Sequence, residues 1–255
     1  MNRTGIPYLD FCWNPCGYGC SNICNCPTCW ARRQATQPGP TQPTCLNCRA
    51  FNVHFHPERL EGKQAPSSRK KPAVIGVEFL GDLFDKAQLA EQIESTLHAV
   101  ADAPWHTFVF LTQQYERASK WASAWWAHNA RDNGWRWGTT CKNQDQFDAA
   151  SEHFGLVPRW WVSAEPLQGP IHPSSRVPEG IIIGANNHVN APYNIEWVRE
   201  TARAFAATGS KVYIKQLWLP RGGCTFRSTN PAEFPADLRS RDLPWTLTMK
   251  VKGQK

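Results

Sequence analysis

Strand-like and helix-like runs alternate along this chain of 255 residues, and no other feature constrains its fold as strongly. A repeating βα pattern buries its apolar faces by packing helices around a largely parallel sheet. The expected strands are Pro7 to Trp13, Val74 to Leu80, Thr107 to Leu111, Trp135 to Thr139, Trp160 to Ser163, Ile181 to Gly184 and Val212 to Lys215. Between them, Lys86 to Val100 sets Leu89, Ile93, Leu97 and Val100 on one helical face. Glu116 to His128, Asp145 to His153 and Ile195 to Thr208 also read as helices, the last stopped by Gly209. The pattern predicts an α/β fold, a partial or irregular (β/α) barrel, with an open doubly wound sheet as its competitor. Barrels of this length form as one unit. Residues 1–219 are expected to make the barrel. Residues 220–255 form a C-terminal extension, packed on it or trailing from it.

Ten cysteines need a separate explanation. A chain this long removes roughly 70% or more of its unfolded surface from water, so disulfides are not needed to hold it together. The N-terminus MNRTGIPYLDF is not a basic-then-apolar leader, and no apolar run reaches membrane-spanning length, which predicts a cytoplasmic protein with no membrane partner. Thiols stay reduced there, so clustered cysteines point to metal. Cys12 lies at the end of the first expected strand, Cys16, Cys20, Cys24, Cys26 and Cys29 follow it, and Cys45 and Cys48 form a C-x-x-C pair. By spacing, the pairs Cys26/Cys29 and Cys45/Cys48 suit a four-thiolate zinc site as well as iron-sulfur. A three-cysteine loop at a barrel mouth favours iron-sulfur, because three thiolates leave one iron of a four-iron cluster open to a ligand.

The formal charge of +7 favours a polyanionic partner, with basic stretches at Arg69 to Lys71, Arg221 to Arg227 and Lys250 to Lys255. A merely solvated surface accounts for them equally well. Of thirteen tryptophans, Trp135, Trp137, Trp160 and Trp161 fall inside strand-like runs and are expected in the core rather than stacked on bases.

Trp13-Asn14-Pro15, Gly19-Cys20 and Cys26-Pro27-Thr28-Cys29-Trp30-Ala31 resemble the W-N-P…G-C…C-x-x-C-[YW]-A opening of a phage-associated family of uncharacterised radical-SAM-like proteins. Gly81-Asp82-Leu83-Phe84, Leu111-Thr112 with Glu116-Arg117, Gly138-Thr139-Thr140, Ser163-Ala164-Glu165-Pro166-Leu167 and Lys215-Gln216-Leu217-Trp218 match its later blocks in order, from Phe11 to Leu219. The resemblance implies a barrel of radical SAM type and a 4Fe-4S cluster on Cys20, Cys26 and Cys29, spaced C-x5-C-x2-C where C-x3-C-x2-C is common. Cys24 competes as a ligand. Cys12 and Cys16 with Cys45 and Cys48 are candidates for a second site, a structural zinc or another cluster. It also implies S-adenosylmethionine, whose reductive cleavage yields a 5′-deoxyadenosyl radical, an electron donor such as flavodoxin or ferredoxin, and the host cytoplasm if the chain is phage-encoded.

Residues just past strand ends are the candidate site of a barrel. Gly81 and Asp82 stand where radical SAM proteins carry a turn that meets the methionine amine, or Asp82 caps a helix. Ser163 and Glu165 suit ribose hydroxyls or a cationic group, or anchor a loop. Asn186 and Asn187 suit a base edge or build a turn. Lys215 suits a phosphate or carboxylate, and Cys141 a hydrogen-atom donor, though a buried thiol is more often packing. His54 and His56 alternate on a strand-like run and are weak zinc candidates. Gly222-Gly223 lacks a phosphate-loop context.

The leading expectation is a radical SAM enzyme acting on a nucleotide or modified DNA base in phage DNA hypermodification. The alternatives are a zinc-stabilised nucleic-acid or protein-binding module without catalysis, and an iron-sulfur electron carrier.

Overall fold

The computed structural model describes residues 1–21, 29–40, 42–128, 134–187 and 192–246. The protein is mixed α/β and forms two compact units, one from 1–118 with 134–136, the other from 119–128 with 137–246.

In the first unit, β1 (Asn2–Arg3) pairs antiparallel with β2 (Phe11–Trp13). β2 runs parallel to β3 (Val74–Val77), which runs parallel to β4 (Thr107–Thr112). All four residues of β3 are buried, as a parallel strand covered on both faces requires. The strand stops at Val77, short of the expected Leu80, because Glu78 adopts φ 57 and a left-handed residue breaks the extended ladder.

Three helices complete this unit: α1 (Trp30–Thr36), the one-turn α2 (Leu46–Arg49) and α3 (Ala90–Ala101). α3 buries the expected Ile93, Leu97 and Val100, but begins at Ala90 because the preceding residues close a turn, Gln88 N–H donating to Asp85 O at 2.9 Å. α4 (Tyr115–His128) leads into the second unit.

There the parallel strands β5 (Trp135–Thr140), β6 (Trp160–Ala164), β7 (Gly180–Gly184) and β8 (Lys211–Arg221) follow in chain order. β9 (Cys224–Ser228) turns back on β8 through Gly222 and Gly223, whose φ values of 56 and 83 suit a tight hairpin. α5 (Gln144–Phe154) and α6 (Ile195–Ala207) carry Phe147, Phe154 and Phe205 into the core, where Phe147 stacks on Trp160 at 6.0 Å between ring centroids. Trp135, Trp137, Trp160 and Trp161 are all buried.

The expected boundary between residues 219 and 220 lies inside β8. Beyond β9 the chain lies along β8, with Ile214 N–H donating to Ser240 O and Asp242 N–H to Val212 O, both at 3.0 Å. No helix among the described residues is long and apolar enough to cross a membrane.

Candidate functional site

The exits of β2 and β3 are tied together by the residues of the Trp13-Asn14-Pro15 block. Trp13 O accepts the Glu78 N–H at 2.9 Å. Asn14 Oδ1 accepts the Phe79 N–H at 2.8 Å, and Arg59 Nη1 donates to Asn14 O at 2.6 Å. Pro15 O accepts the His56 N–H at 2.8 Å. Further on, Gly19 bridges Gly81, and Ser21 N–H donates to Asp85 Oδ2 at 2.7 Å. The cysteine loop therefore leaves from the C-terminal ends of two parallel strands.

Cys20 and Cys29 pack against one apolar cluster, formed by Ala31 and Ala35 of α1 together with Phe51. Cys29 is the N-cap of α1, its Sγ accepting the Arg32 N–H at 3.5 Å. Cys24 and Cys26 lie outside the described residues. Cys12, on β2, keeps its proton, burial pushing its thiol up to about 11. Cys16 is buried and pushed well above the ordinary thiol value by burial first and then by the Glu78 carboxylate, to which its thiol is hydrogen-bonded.

Cys45 and Cys48 do not gather with Cys12 and Cys16. Among the described residues, the group with metal-ligand geometry is Cys45, Cys48, His54 and His56, whose ligand atoms all lie within 4.8 Å of one another. Cys48 Sγ is 3.3 Å from His54 Nε2 and 3.5 Å from His56 Nε2, Cys45 Sγ is 3.6 Å from His54 Nε2, and the two Nε2 atoms are 2.8 Å apart. Each ring is oriented from behind: His54 Nδ1 is 2.8 Å from Asn52 O, and His56 Nδ1 is 2.8 Å from Glu58 Oε1. Hydrogen bonds from the backbone N–H groups of Cys48 and Asn47 hold the Cys45 thiol below its usual value, and burial lowers His56. Deprotonated sulfur and neutral imidazole are the forms that bind a metal. The two histidines lie on irregular chain and not on the expected strand.

The carboxylates at the end of β3 divide into satisfied and unsatisfied groups. Asp82 is buried and accepts three hydrogen bonds, from Thr112 Oγ1 at 2.6 Å, Gln113 N–H at 2.9 Å and Phe84 N–H at 3.0 Å, so it fastens this loop to the end of β4. Burial nevertheless raises it to about 6. Glu78 is fully buried, with Oε2 accepting the Cys16 N–H at 2.6 Å and Oε1 accepting no hydrogen bond from the described residues. Burial pushes it up to about 8. A Cβ on Gly81 would lie 2.6 Å from Gly19 O and 3.1 Å from Glu78 Oε1, so only glycine fits there. No sequence pattern singled out Glu78.

In the second unit, Lys215 Nζ pairs with Glu165 Oε2, and their side chains are 21% and 15% exposed. Beside this pair in the chain, Gln216 Nε2 donates to Ala185 O at 2.5 Å and Asn187 Oδ1 at 3.1 Å, and Arg227 donates to Asn187 Oδ1 and to Gln216 Oε1. Asn186 O accepts Trp218 Nε1–H at 2.8 Å. Ser163 is buried on β6, and its carbonyl accepts the Cys141 N–H at 3.0 Å. Cys141 is fully buried and pushed up to about 12 by burial, its Sγ facing Gln146 O at 3.6 Å. Arg227 joins this network from β9, an element the sequence reading did not anticipate.

These features define a mixed α/β protein with a Cys/His group capable of holding a metal. The chain belongs to the family described as Protein of unknown function (DUF5131), which matches residues 3–239. No curated protein and no solved structure matches it.

Proposed function

We propose that this protein is an iron-sulfur enzyme of radical S-adenosylmethionine type, acting on a nucleotide or a DNA base. The observation that carries the reading is the packing of Cys20 and Cys29 on one apolar cluster beyond the ends of β2 and β3. Two thiols resting on one apolar cluster at the C-terminal side of parallel strands suit a cluster site, for which Cys26 is the third ligand by resemblance. Bound there, the cluster and S-adenosylmethionine supply one-electron reductive chemistry.

The protein's own groups supply position and charge. Glu78 Oε1, buried and without a hydrogen-bond partner among the described residues, two residues before Leu80 and close to Gly81, suits an ammonium donor. Asp82 is the weaker candidate for that role, since its oxygens are already engaged. In the second unit, Glu165 and Lys215 offer a carboxylate and an ammonium to a polar ligand, and the net charge of +7 suits a phosphate-bearing one.

The test is anaerobic purification with iron, sulfide and zinc quantified, followed by assay of dithionite-reduced protein with S-adenosylmethionine for 5′-deoxyadenosine. About four irons per chain and cofactor cleavage lost in Cys29→Ala are expected. A metal content of zinc alone, with no cleavage product, overturns the reading. That outcome supports a second one, a zinc-stabilised binding module, favoured by the complete Cys/His ligand set. DNA affinity that stays flat from low to moderate salt argues against a phosphate-driven substrate in either case.

A further inference from the structure

We propose that Cys45, Cys48, His54 and His56 bind one zinc ion in a closed tetrahedral site, and that this site locks the chain on which Cys20 and Cys29 rest. Zinc bonds of about 2.3 Å to sulfur and about 2.0 Å to nitrogen give tetrahedral S–N edges of about 3.5 Å and an N–N edge of about 3.3 Å. Three of the four S–N separations, 3.3, 3.5 and 3.6 Å, fit these edges, the fourth lies within 4.8 Å, and the N–N separation of 2.8 Å has only to open slightly.

The hydrogen bonds behind the rings specify what must sit between them. Asn52 O and the Glu58 carboxylate are acceptors, so each Nδ1 carries the proton and each Nε2 presents a lone pair. Two lone pairs facing each other at 2.8 Å repel unless a cation stands between them. The sulfurs of Cys45 and Cys48 close on the same point, and with all four donor atoms within 4.8 Å of one another the set suits a single zinc ion and not a two-iron cluster, in which the thiolates and the imidazoles bind different irons. Four protein ligands leave no open position, so the ion is structural.

Its grip reaches both strand exits. Gly17 has φ 67, and a Cβ there would come within 2.8 Å of Cys48 Sγ and 3.0 Å of the His56 ring. The Tyr18 N–H donates to Cys48 Sγ, and Gln88 Nε2 donates to His54 O at 3.0 Å. Between Cys48 and His54 lies Phe51, held at φ 57 with its side chain buried in the cluster that supports Cys20 and Cys29. A bulky residue in that conformation needs its neighbours fixed on both sides. The metal fixes them.

The experiment measures zinc in the purified full chain and records the visible spectrum of its cobalt-substituted form. One zinc per chain is expected, with tetrahedral cobalt bands carrying charge transfer from two thiolates. Zinc content falls at least ~10-fold in His54→Ala and Cys45→Ser, survives in Cys12→Ser and Cys29→Ala, and returns in His54→Cys with stronger sulfur-to-cobalt absorption. Metal-free wild type, a four-thiolate cobalt spectrum, or zinc lost in Cys12→Ser and kept in His54→Ala overturns the site. Where His54→Ala fails to fold, the wild-type cobalt spectrum and the His54→Cys variant decide. The locking role rests in part on the proposed cluster, and iron counted in the same samples separates the two. Zinc present without iron removes the cluster and leaves the zinc site. Iron present without zinc does the reverse. Where iron is present, His54→Ala is expected to lower its loading, and unchanged iron in a zinc-free variant ends the locking role.

Discussion

Glu78 Oε2 accepts the Cys16 backbone N–H at 2.6 Å, while Oε1 of the same fully buried carboxyl accepts no hydrogen bond among the described residues. One oxygen anchors the cysteine loop to the end of β3, and the other stays available. Burial raises this carboxyl from 4.5 to about 8, so between those values the folded protein holds a proton that the unfolded chain has released. Its contribution is therefore fully present below pH ~4.5 and lost as pH rises through ~8, with a slope of at most about 1.4 kcal/mol per pH unit. Glu78→Gln is expected to flatten stability across that window in urea titrations at pH 5, 7 and 8.5. An unchanged slope refutes the assignment.

Asp82 joins the loop after β3 to the end of β4 through three accepted hydrogen bonds. In Asp82→Asn one oxygen becomes an NH2 group, which cannot accept both from Thr112 and Phe84 on one side and from Gln113 on the other. The expected loss is about 1–3 kcal/mol, seen as a lower denaturation midpoint at unchanged m-value. Thr112→Val should cost less in the Asp82→Asn background than alone. Additive effects would show that the two side chains are not coupled.

Lys215 and Glu165 form a largely buried pair linking the middle of β8 to the residue that follows β6. Lys215→Met removes the ammonium paired with the Glu165 carboxylate and is expected to cost about 2–4 kcal/mol, whereas Lys215→Met with Glu165→Gln costs less than the two single changes summed. Chemical denaturation of all four proteins yields the coupling energy. A value near zero would mean that solvent already screens the pair.

The strands and long helices were legible because their apolar residues must face a core. Ile93, Leu97 and Val100 show the helical period, and Ile181 to Ile183 the continuous apolar run of a strand covered on both faces. The hairpin of β8 and β9 was not anticipated, although the pair Gly222-Gly223 is a turn signal. Local pattern placed the end of β8 too early, at Lys215, because the alternation of a strand is lost at Lys215 and Gln216 and the chain beyond Leu219 is rich in Arg, Pro and Asp. Only pairing with Arg227, Phe226 and Thr225 shows Trp218, Leu219 and Pro220 to be strand.

At the site, the sequence by itself pointed from clustered thiols to a metal site, and it marked Cys45 and Cys48 as a pair by their C-x-x-C spacing. It did not determine which residues complete the set. Ligation depends on where side chains converge in space, and the turn through Phe51 brings His54 and His56, not Cys12 and Cys16, to those sulfurs. Glu78 lay beyond sequence reasoning for the same reason. A single glutamate after an apolar strand carries no pattern, and the properties that distinguish it come from tertiary packing. These are a left-handed backbone, complete burial and one oxygen without a donor.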